Sequence, residues 1–214
     1  MSQLGMAGKQ RSYVIWKGRK TGVFTSWEEC SAQVTGYPDA EYKAFPNRKA
    51  AEEAFSGQYK EYKGRHVSSL SREHLLEIGQ PILASFSVDA SCIGNPGLLE
   101  YRCVDNQTGR KVFRQGPFEN GTNNIGEFLG IVHALALCKQ KGLGLPIYSD
   151  SVNAIDWVRR KQCKTRLARD ERNAELFDLI ERAETWLRNN DYANNILKWE
   201  TEAWGQIPAD YGRK

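Results

Sequence analysis

The spacing of apolar residues changes near Pro81, which suggests two folding units. Before it, the short apolar-aromatic runs YVIW and VFTSW flank the basic turn KGRKTG, and the helix-like run RKAAEEAF follows. Short apolar runs joined by a Gly-containing turn are typical of a β-hairpin. We therefore predict a small α+β domain over residues 11–57, a hairpin with helices packed on it.

Residues 58–81 separate the two patterns. This stretch is mostly polar and ends at Pro81. A polar segment closed by proline is typical of a connector between domains, because few apolar side chains anchor it to either core. We predict a linker with one helical turn.

Strand-like runs dominate the chain directly after Pro81. The runs ILASFSV, LEYRCV and KVFRQG are separated by the turn signals GNPG and DNQTG. Consecutive strands with short turns pair antiparallel in most cases. The pattern predicts a three-stranded antiparallel meander.

Helices and strands alternate in the rest of the chain. The run GTNNIGEFLGIVHALALCKQKG predicts a helix buried on most sides, and LPIYSD, SVNAIDWVRRK and NILKWET predict a strand, a helix and a strand. A further amphipathic helix is predicted from Asp170 to Asn189. Such crossovers join parallel strands. Residues 82–214 are thus predicted as an α/β domain with a mixed five-stranded sheet, flanked by helices.

Composition narrows the class of protein. The net charge of +4 permits a polyanionic partner without requiring one. No Cys pair has metal-ligand spacing, the N-terminal stretch lacks the apolar core of a signal peptide, and no apolar run is long enough to span a membrane. We expect a cytoplasmic monomer without a membrane or protein partner.

Four carboxylates stand where predicted elements begin or end: Asp89, Glu127, Asp150 and Asp210. Asp89 lies inside an apolar strand and Glu127 inside an apolar helix, where a charge needs a compensating partner. Oxygen ligands without His or Cys favour Mg²⁺ or Mn²⁺ over zinc. Two such ions form the usual clamp for phosphodiester hydrolysis. Taken singly, Asp150 with Ser151 is more commonly a helix N-cap, and Asp210 after Pro208 more commonly a turn residue.

Four stretches resemble the motifs of type-1 ribonucleases H, in that family's order and spacing. They are Asp89–Gly97, Thr122–Glu127, Tyr148–Ser151 and, for one bacterial-type branch, Ala209–Lys214. The resemblance implies the mixed sheet of that family and two Mg²⁺ ions, or Mn²⁺, held by the four carboxylates. It also implies cleavage of the RNA strand of RNA:DNA hybrids, leaving 5′-phosphate and 3′-OH ends.

The same resemblance implies contacts with the hybrid. Four residues are implied to contact the hybrid at minor-groove base edges, sugars or phosphates: Cys92, Asn95, Asn123 and Asn124. Thr122 and Thr165 are placed to hold a DNA-strand phosphate, and Trp157 to lie against a DNA sugar. For Trp157, a partly buried helix position is an equal alternative.

The N-terminal segment resembles the hybrid-binding domain that precedes many such enzymes, a fold shared with viroplasmin-type proteins. The matching residues include the Gly18–Gly22 turn and Trp27. In that family, aromatic side chains clamp the DNA backbone while lysines meet phosphate. The resemblance therefore implies binding roles for Trp27, Tyr42 and Lys43. Core packing is the alternative for Trp27 alone.

The chain departs from the family near its C-terminus. Many members of the family have a histidine on a loop shortly before the last Asp, but no histidine stands shortly before Asp210 here. Gln206 stands where the similar branch has a glutamate. Glutamine cannot readily accept a proton, so slower turnover is expected, with Glu202 as an alternative substitute. The basic run from Arg159 to Arg169 fits either phosphate contacts or a solvated helix end.

Two other functions compete with hybrid cleavage. One is hybrid binding by a domain that has lost catalysis, and the other is a nuclease of the same fold acting on DNA. Retention of all four acids disfavours the first. The Thr-Asn-Asn motif and the N-terminal domain disfavour the second.

Overall fold

The computed structural model describes residues 11–212. Within this range the chain divides into two compact units between Gly79 and Gln80. Arg213 and Lys214, the last residues of the C-terminal motif, lie outside the described residues. So does the stretch 1–10, where we expect no signal peptide.

The first unit is built on a three-stranded antiparallel sheet. Its strands are β1 (Ser12–Lys17), β2 (Gly22–Phe24) and β3 (Glu41–Phe45), in the order β2-β1-β3. The predicted two-stranded hairpin is therefore incomplete. Strand β3 has the sequence EYKAF, in which only Phe45 is buried, so its apolar spacing gives a weak strand signal.

Helices cover both faces of this sheet. They are α1 (Trp27–Val34) and α2 (Arg48–Phe55). Successive residues of a strand face opposite sides. Ile15 accordingly packs against Cys30 of α1, while Val14 packs against Ala51 of α2. The sheet thus has a small apolar core on each side.

The predicted connector at 58–81 has more structure than its composition indicates. It contains α3 (Tyr59–Tyr62) and α4 (Arg72–Ile78). Tyr62 stacks on Trp16, with ring centroids 5.7 Å apart. Two short helices thus replace the single predicted turn, and the first of them packs on the N-terminal core.

The second unit contains the predicted mixed five-stranded sheet, which is confirmed. Strands β4, β5 and β6 form the antiparallel meander, and β7 and β8 run parallel to β4, giving the order β6-β5-β4-β7-β8. Their bounds are β4 (Phe86–Gly94), β5 (Gly97–Asp105), β6 (Lys111–Gly121), β7 (Ile147–Ser149) and β8 (Ile196–Lys198).

Helix α5 lies at the centre of this unit. Among the described residues, the helices of this unit are α5 (Asn123–Lys141), α6 (Val152–Arg159), α7 (Ala174–Asn189) and α8 (Thr201–Trp204). Gly126 lets α5 approach the sheet closely, since a Cβ there would lie 2.7 Å from that of Ala90. This contact fixes the next residue, Glu127, over strand β4. No helix among the described residues is long and apolar enough to cross a membrane.

Helix α7 begins later than predicted. The sequence pattern places its start at Asp170, but the helix begins at Ala174. The Asp170 carboxylate accepts a hydrogen bond from the Asn173 backbone N–H at 3.1 Å, and Asn173 Oδ1 accepts one from the Asp170 N–H at 2.8 Å. These short polar side chains close a turn instead of continuing the helix.

The segment after β8 covers the other face of the sheet. Ile147 belongs to the core shared with α5, so the next residue, Tyr148, faces away from that helix. Tyr148 packs with Trp199 and Ile207 in a separate apolar cluster. This cluster brings the chain end back across the sheet.

Candidate functional site

Three of the predicted carboxylates meet at one edge of the second unit's sheet. Oxygen atoms of Asp89, Glu127 and Asp150 all lie within 4.8 Å of one another. Asp89 lies in β4, and Asp150 directly follows its parallel neighbour β7. Glu127 reaches the same place from the start of α5. Three segments distant in sequence therefore supply one cluster.

Burial and mutual repulsion raise the proton affinity of this cluster. Asp89 is 8% and Glu127 7% exposed. Burial, followed by the charge of Asp150, raises the pKa of Asp89 to about 7. Burial also raises the pKa of Glu127 to about 7, although Ser151 and Asn123 oppose the increase. The folded chain therefore favours the protonated forms of Asp89 and Glu127 more than the unfolded chain does.

The donor set fits a divalent cation. Asn123 Nδ2 donates to Glu127 Oε1 at 2.9 Å. Glu127 Oε2 is buried and accepts no hydrogen bond from any described residue. A buried carboxylate oxygen left in this state is costly. Carboxylate oxygens without His or Cys suit Mg²⁺ or Mn²⁺.

The helix-cap alternative for Asp150 is excluded. Ser151 is the N-cap of α6, and its hydroxyl accepts from the Ala154 N–H at 3.2 Å. The Asp150 carboxylate is thus available to the cluster.

Asp210 lies near the cluster but outside the group of three. Burial is the main cause of the raised pKa values of Asp89 and Asp150, and the charge of Asp210 adds to both increases. Its backbone N–H donates to Ile207 O at 2.8 Å, and its Oδ2 accepts from the Gly212 N–H at 3.0 Å. Asp210 is therefore a turn residue that also adds negative charge to the cluster.

We expect the metal-free protein to lose stability as pH rises from about 4 to about 7. Asp89 and Glu127 have raised pKa values in the folded state, so the folded chain binds more protons than the unfolded chain across this window. Thermal unfolding in a chelator should show a midpoint lower by at least about 2–4 °C at the upper pH. Mg²⁺ should raise the midpoint more at about pH 8 than at about pH 5.

A Glu127→Gln variant is the control for this pH dependence. The variant removes one of the two titrating groups, so its unfolding temperature should fall less between about pH 4 and pH 7 than that of the wild type. An unchanged pH dependence in this variant would contradict the assignment.

A groove next to the cluster brings together five of the predicted hybrid-binding residues. It has a volume of about 630 Å³, and those five are Asn95, Thr122, Asn124, Trp157 and Thr165. The Asn123 backbone N–H donates to Asn95 Oδ1 at 3.3 Å, which joins the first two motifs. Sequence reasoning assigned no role to Asn153, which also lines the groove. Its only signal is an exposed position at the start of α6.

Trp157 lines the groove only in part, and Cys92 lies outside its lining. Trp157 is partly buried against the core, 6.3 Å from the Phe128 ring, and also lines the groove. Both alternatives for it thus hold in part. The Cys92 thiol donates to Gly94 O at 2.7 Å and is not part of the groove lining.

The basic run divides between the two alternatives. Lys164 and Arg166 line the groove. Arg160 pairs with Asp156 at 2.8 Å, and Arg169 pairs with Asp178 at 2.6 Å. Two members thus face the candidate binding surface, and two belong to ion pairs of the solvated face.

In the first unit, the aromatic residues come together and Lys43 does not join them. Trp27 is 49% exposed, and its ring centroid lies 5.8 Å from Tyr42 and 5.6 Å from Tyr13. Lys43 follows Tyr42 in β3 and so faces the opposite side of the sheet. Its Nζ donates to Arg65 O at 2.8 Å. Lys43 is therefore separated from the aromatic surface formed by Tyr13, Trp27 and Tyr42.

The residues considered for proton transfer differ in placement. Gln206 and Glu202 are exposed, on or just after α8. His133, on α5 six positions after Glu127, packs elsewhere. Its ring stacks on Phe113, with centroids 3.9 Å apart, and burial lowers its pKa. His133 thus packs as a neutral ring.

Comparison with known proteins identifies both units. Residues 84–198 match the family described as RNase H, and residues 11–55 match the ribonuclease H1 N-terminal domain. Ribonuclease H of Nitratidesulfovibrio vulgaris is 34% identical over 101 residues, 44% of this chain and 64% of that protein. Ribonuclease H1 of Mus musculus is 49% identical over 41 residues, 19% of this chain and 14% of that protein. This chain therefore spans less than two thirds of either relative.

A solved structure is also similar. LC11-RNase H1, isolated from compost by a metagenomic approach, has a TM-score of 0.38 and 14% identity, covering 55% of this chain and 85% of that one.

Proposed function

This chain belongs to the RNase H family, and from this membership we propose that it hydrolyses the RNA strand of RNA:DNA hybrids. The products are 5′-phosphate and 3′-OH ends. The observation that carries the proposal is the meeting of Asp89, Glu127 and Asp150 within 4.8 Å. A bound cation would offset the repulsion between these carboxylates and would give the unsatisfied Glu127 Oε2 a partner.

Asp89, Glu127, Asp150 and Asp210 would hold two Mg²⁺ ions, with Mn²⁺ as a substitute. When bound, the ions lower the pKa of the attacking water and neutralise charge on the leaving oxygen. The chain's own groups prepare the site. Asn123 fixes the rotamer of Glu127 through its hydrogen bond. Burial raises the pKa of Asp150, and the positive charge of Lys198 opposes that increase.

The groove beside the cluster would hold the substrate. Thr122 and Thr165 would bind a DNA-strand phosphate, with Trp157 against a sugar. Thr122 is the N-cap residue of α5, yet its side chain makes no capping hydrogen bond. Its hydroxyl is not committed to the helix end, which supports a role in binding.

Minor-groove contacts would identify the RNA strand. Cys92 lies in β4, Asn95 in the β4–β5 turn, and Asn123 and Asn124 at the start of α5. Small polar side chains can reach the 2′-OH groups that line the wide minor groove of such a hybrid.

The first unit would bind the hybrid without cutting it. Its aromatic surface offers two exposed rings, Trp27 and Tyr42, for the DNA backbone. Lys43 as a phosphate contact stays a prediction that the position of its Nζ does not favour. Two binding modules on one chain raise the local concentration of substrate. Action as a cytoplasmic monomer also stays a prediction.

Cleavage of a labelled RNA:DNA hybrid tests the function. The protein is incubated with Mg²⁺ or Mn²⁺, beside all-DNA and all-RNA duplexes of the same sequence. Cleavage of only the hybrid's RNA strand, abolished by a chelator, is the expected result. Binding without cleavage would favour a protein that has lost catalysis, and cleavage of DNA would favour a DNA nuclease of this fold.

We expect Gln206→Glu to raise kcat for hybrid cleavage by about 10-fold. A carboxylate can accept a proton or assist product release where an amide cannot. Steady-state kcat in saturating Mg²⁺ measures the effect. Gln107→Glu, an equal charge change in the exposed β5–β6 turn, is the matched control. An unchanged kcat in Gln206→Glu would refute a role for a carboxylate at this position. An equal gain in kcat in Gln107→Glu would show that the added negative charge, and not its position, causes the increase.

A further inference from the structure

Arg102 stands on the strand next to the carboxylate cluster. In the β4–β5 ladder it is paired directly with Asp89. Directly paired residues point to the same face of a sheet. Its neighbour Tyr101 is buried in the core shared with α5, so Arg102 faces the side that the C-terminal segment covers.

This one side chain contacts three consecutive residues of the C-terminal segment. Arg102 Nε donates to Ala209 O at 2.7 Å, and Nη2 donates to Asp210 O. The guanidinium carbon lies 4.5 Å from the centre of the Tyr211 ring. Residues 205–212 contain no helix or strand, so ladder hydrogen bonds do not hold Asp210 in place.

We infer that Arg102 is a positioning residue that holds the Asp210 carboxylate beside Asp89, Glu127 and Asp150. The inference rests on the proposed function, because it assigns Asp210 a part in binding divalent cations. A guanidinium suits the task, since its planar fork donates to two carbonyls while its face lies on the ring. Lysine could reproduce the charge but not both contacts.

Arg102→Met should weaken Mg²⁺ binding by about 10–100-fold, as loss of groups that orient metal ligands commonly does. Calorimetric titration with Mg²⁺ measures this without any substrate. In cleavage assays the Mg²⁺ concentration for half-maximal rate should rise, while kcat at saturating Mg²⁺ stays within about threefold. Arg102→Lys should recover part of the affinity.

Amide hydrogen exchange reports the position of the segment directly. Residues 207–212 should exchange about 10-fold faster or more in Arg102→Met, with the sheet unchanged. The matched control is Arg110→Met, which removes an exposed arginine from the β5–β6 turn. It should alter neither exchange nor Mg²⁺ affinity.

A double-mutant cycle separates positioning from general stability. If Arg102 acts through Asp210, Arg102→Met should add little to the Mg²⁺ affinity lost in Asp210→Asn. Additive losses, or unchanged exchange at 207–212, would overturn the inference. Mg²⁺ titration and exchange remain informative even if the wild type cleaves no hybrid, so failure of the proposed function is distinguishable from failure of this one.

Discussion

Asp150→Asn should reduce the cleavage rate of an RNA:DNA hybrid by roughly 1,000-fold or more, about 4 kcal/mol of transition-state stabilisation. The substitution keeps the shape of the side chain and removes one charge from a cluster whose oxygens lie within 4.8 Å. Single-turnover cleavage at saturating protein is the measurement. Affinity for the hybrid should change little, because the groove residues are intact.

Asp156→Asn is the matched control for this experiment. Asp156 lies on the adjacent helix α6 but forms an exposed ion pair with Arg160, so its loss should leave cleavage unchanged. The two variants should also differ in stability. Removing Asp150 relieves repulsion on Asp89 and should raise the unfolding temperature of the metal-free protein. Comparable cleavage by Asp150→Asn and the wild type would exclude the cluster as the catalytic centre.

Trp27→Ala should weaken hybrid binding by about 10-fold or more, since aromatic contacts with nucleic acid are worth about 1–3 kcal/mol on alanine substitution. Trp27 is exposed yet ordered between Tyr13 and Tyr42, so its indole presents a preformed surface. Equilibrium binding to a long hybrid in chelator measures the loss. The single-turnover cleavage rate at saturating protein should be unaffected.

Phe55→Ala provides the comparison for Trp27→Ala. Phe55 is 41% exposed, against 49% for Trp27, and it lies on α2, outside the aromatic surface. The Phe55→Ala variant should bind the hybrid with the affinity of the wild type. Equal losses in the two variants would show that general destabilisation of the first unit accounts for the effect.

The sequence predicts the three-carboxylate cluster because acids in apolar surroundings are conspicuous. Asp89 interrupts an apolar strand and Glu127 an apolar helix, and both are buried as that pattern requires. Asp150 directly follows β7, whose parallel register with β4 pairs Ser87 with Tyr148 and so brings Asp150 level with Asp89. The local pattern therefore indicates Asp89 and Glu127, whereas Asp150 is indicated only in combination with them and by the family resemblance.

Other features depend on contacts that the sequence does not display. Arg102 is an ordinary strand arginine until the chain end returns to it, more than a hundred positions later. The separation of Lys43 from Tyr42 follows from alternation along β3, but only once that weakly patterned strand is recognised. The late start of α7 depends on reciprocal hydrogen bonds between Asp170 and Asn173.

The buried, unsatisfied Glu127 Oε2 has a consequence for protein engineering. At this position, activity and thermal robustness favour different side chains, because an isosteric neutral residue would remove an uncompensated charge from the interior. A library selected for heat resistance alone, without divalent cations, should accumulate replacements at Glu127 and Asp89. Selection in high Mg²⁺ should retain both acids, so the composition of the buffer would determine whether the selected variants are still enzymes.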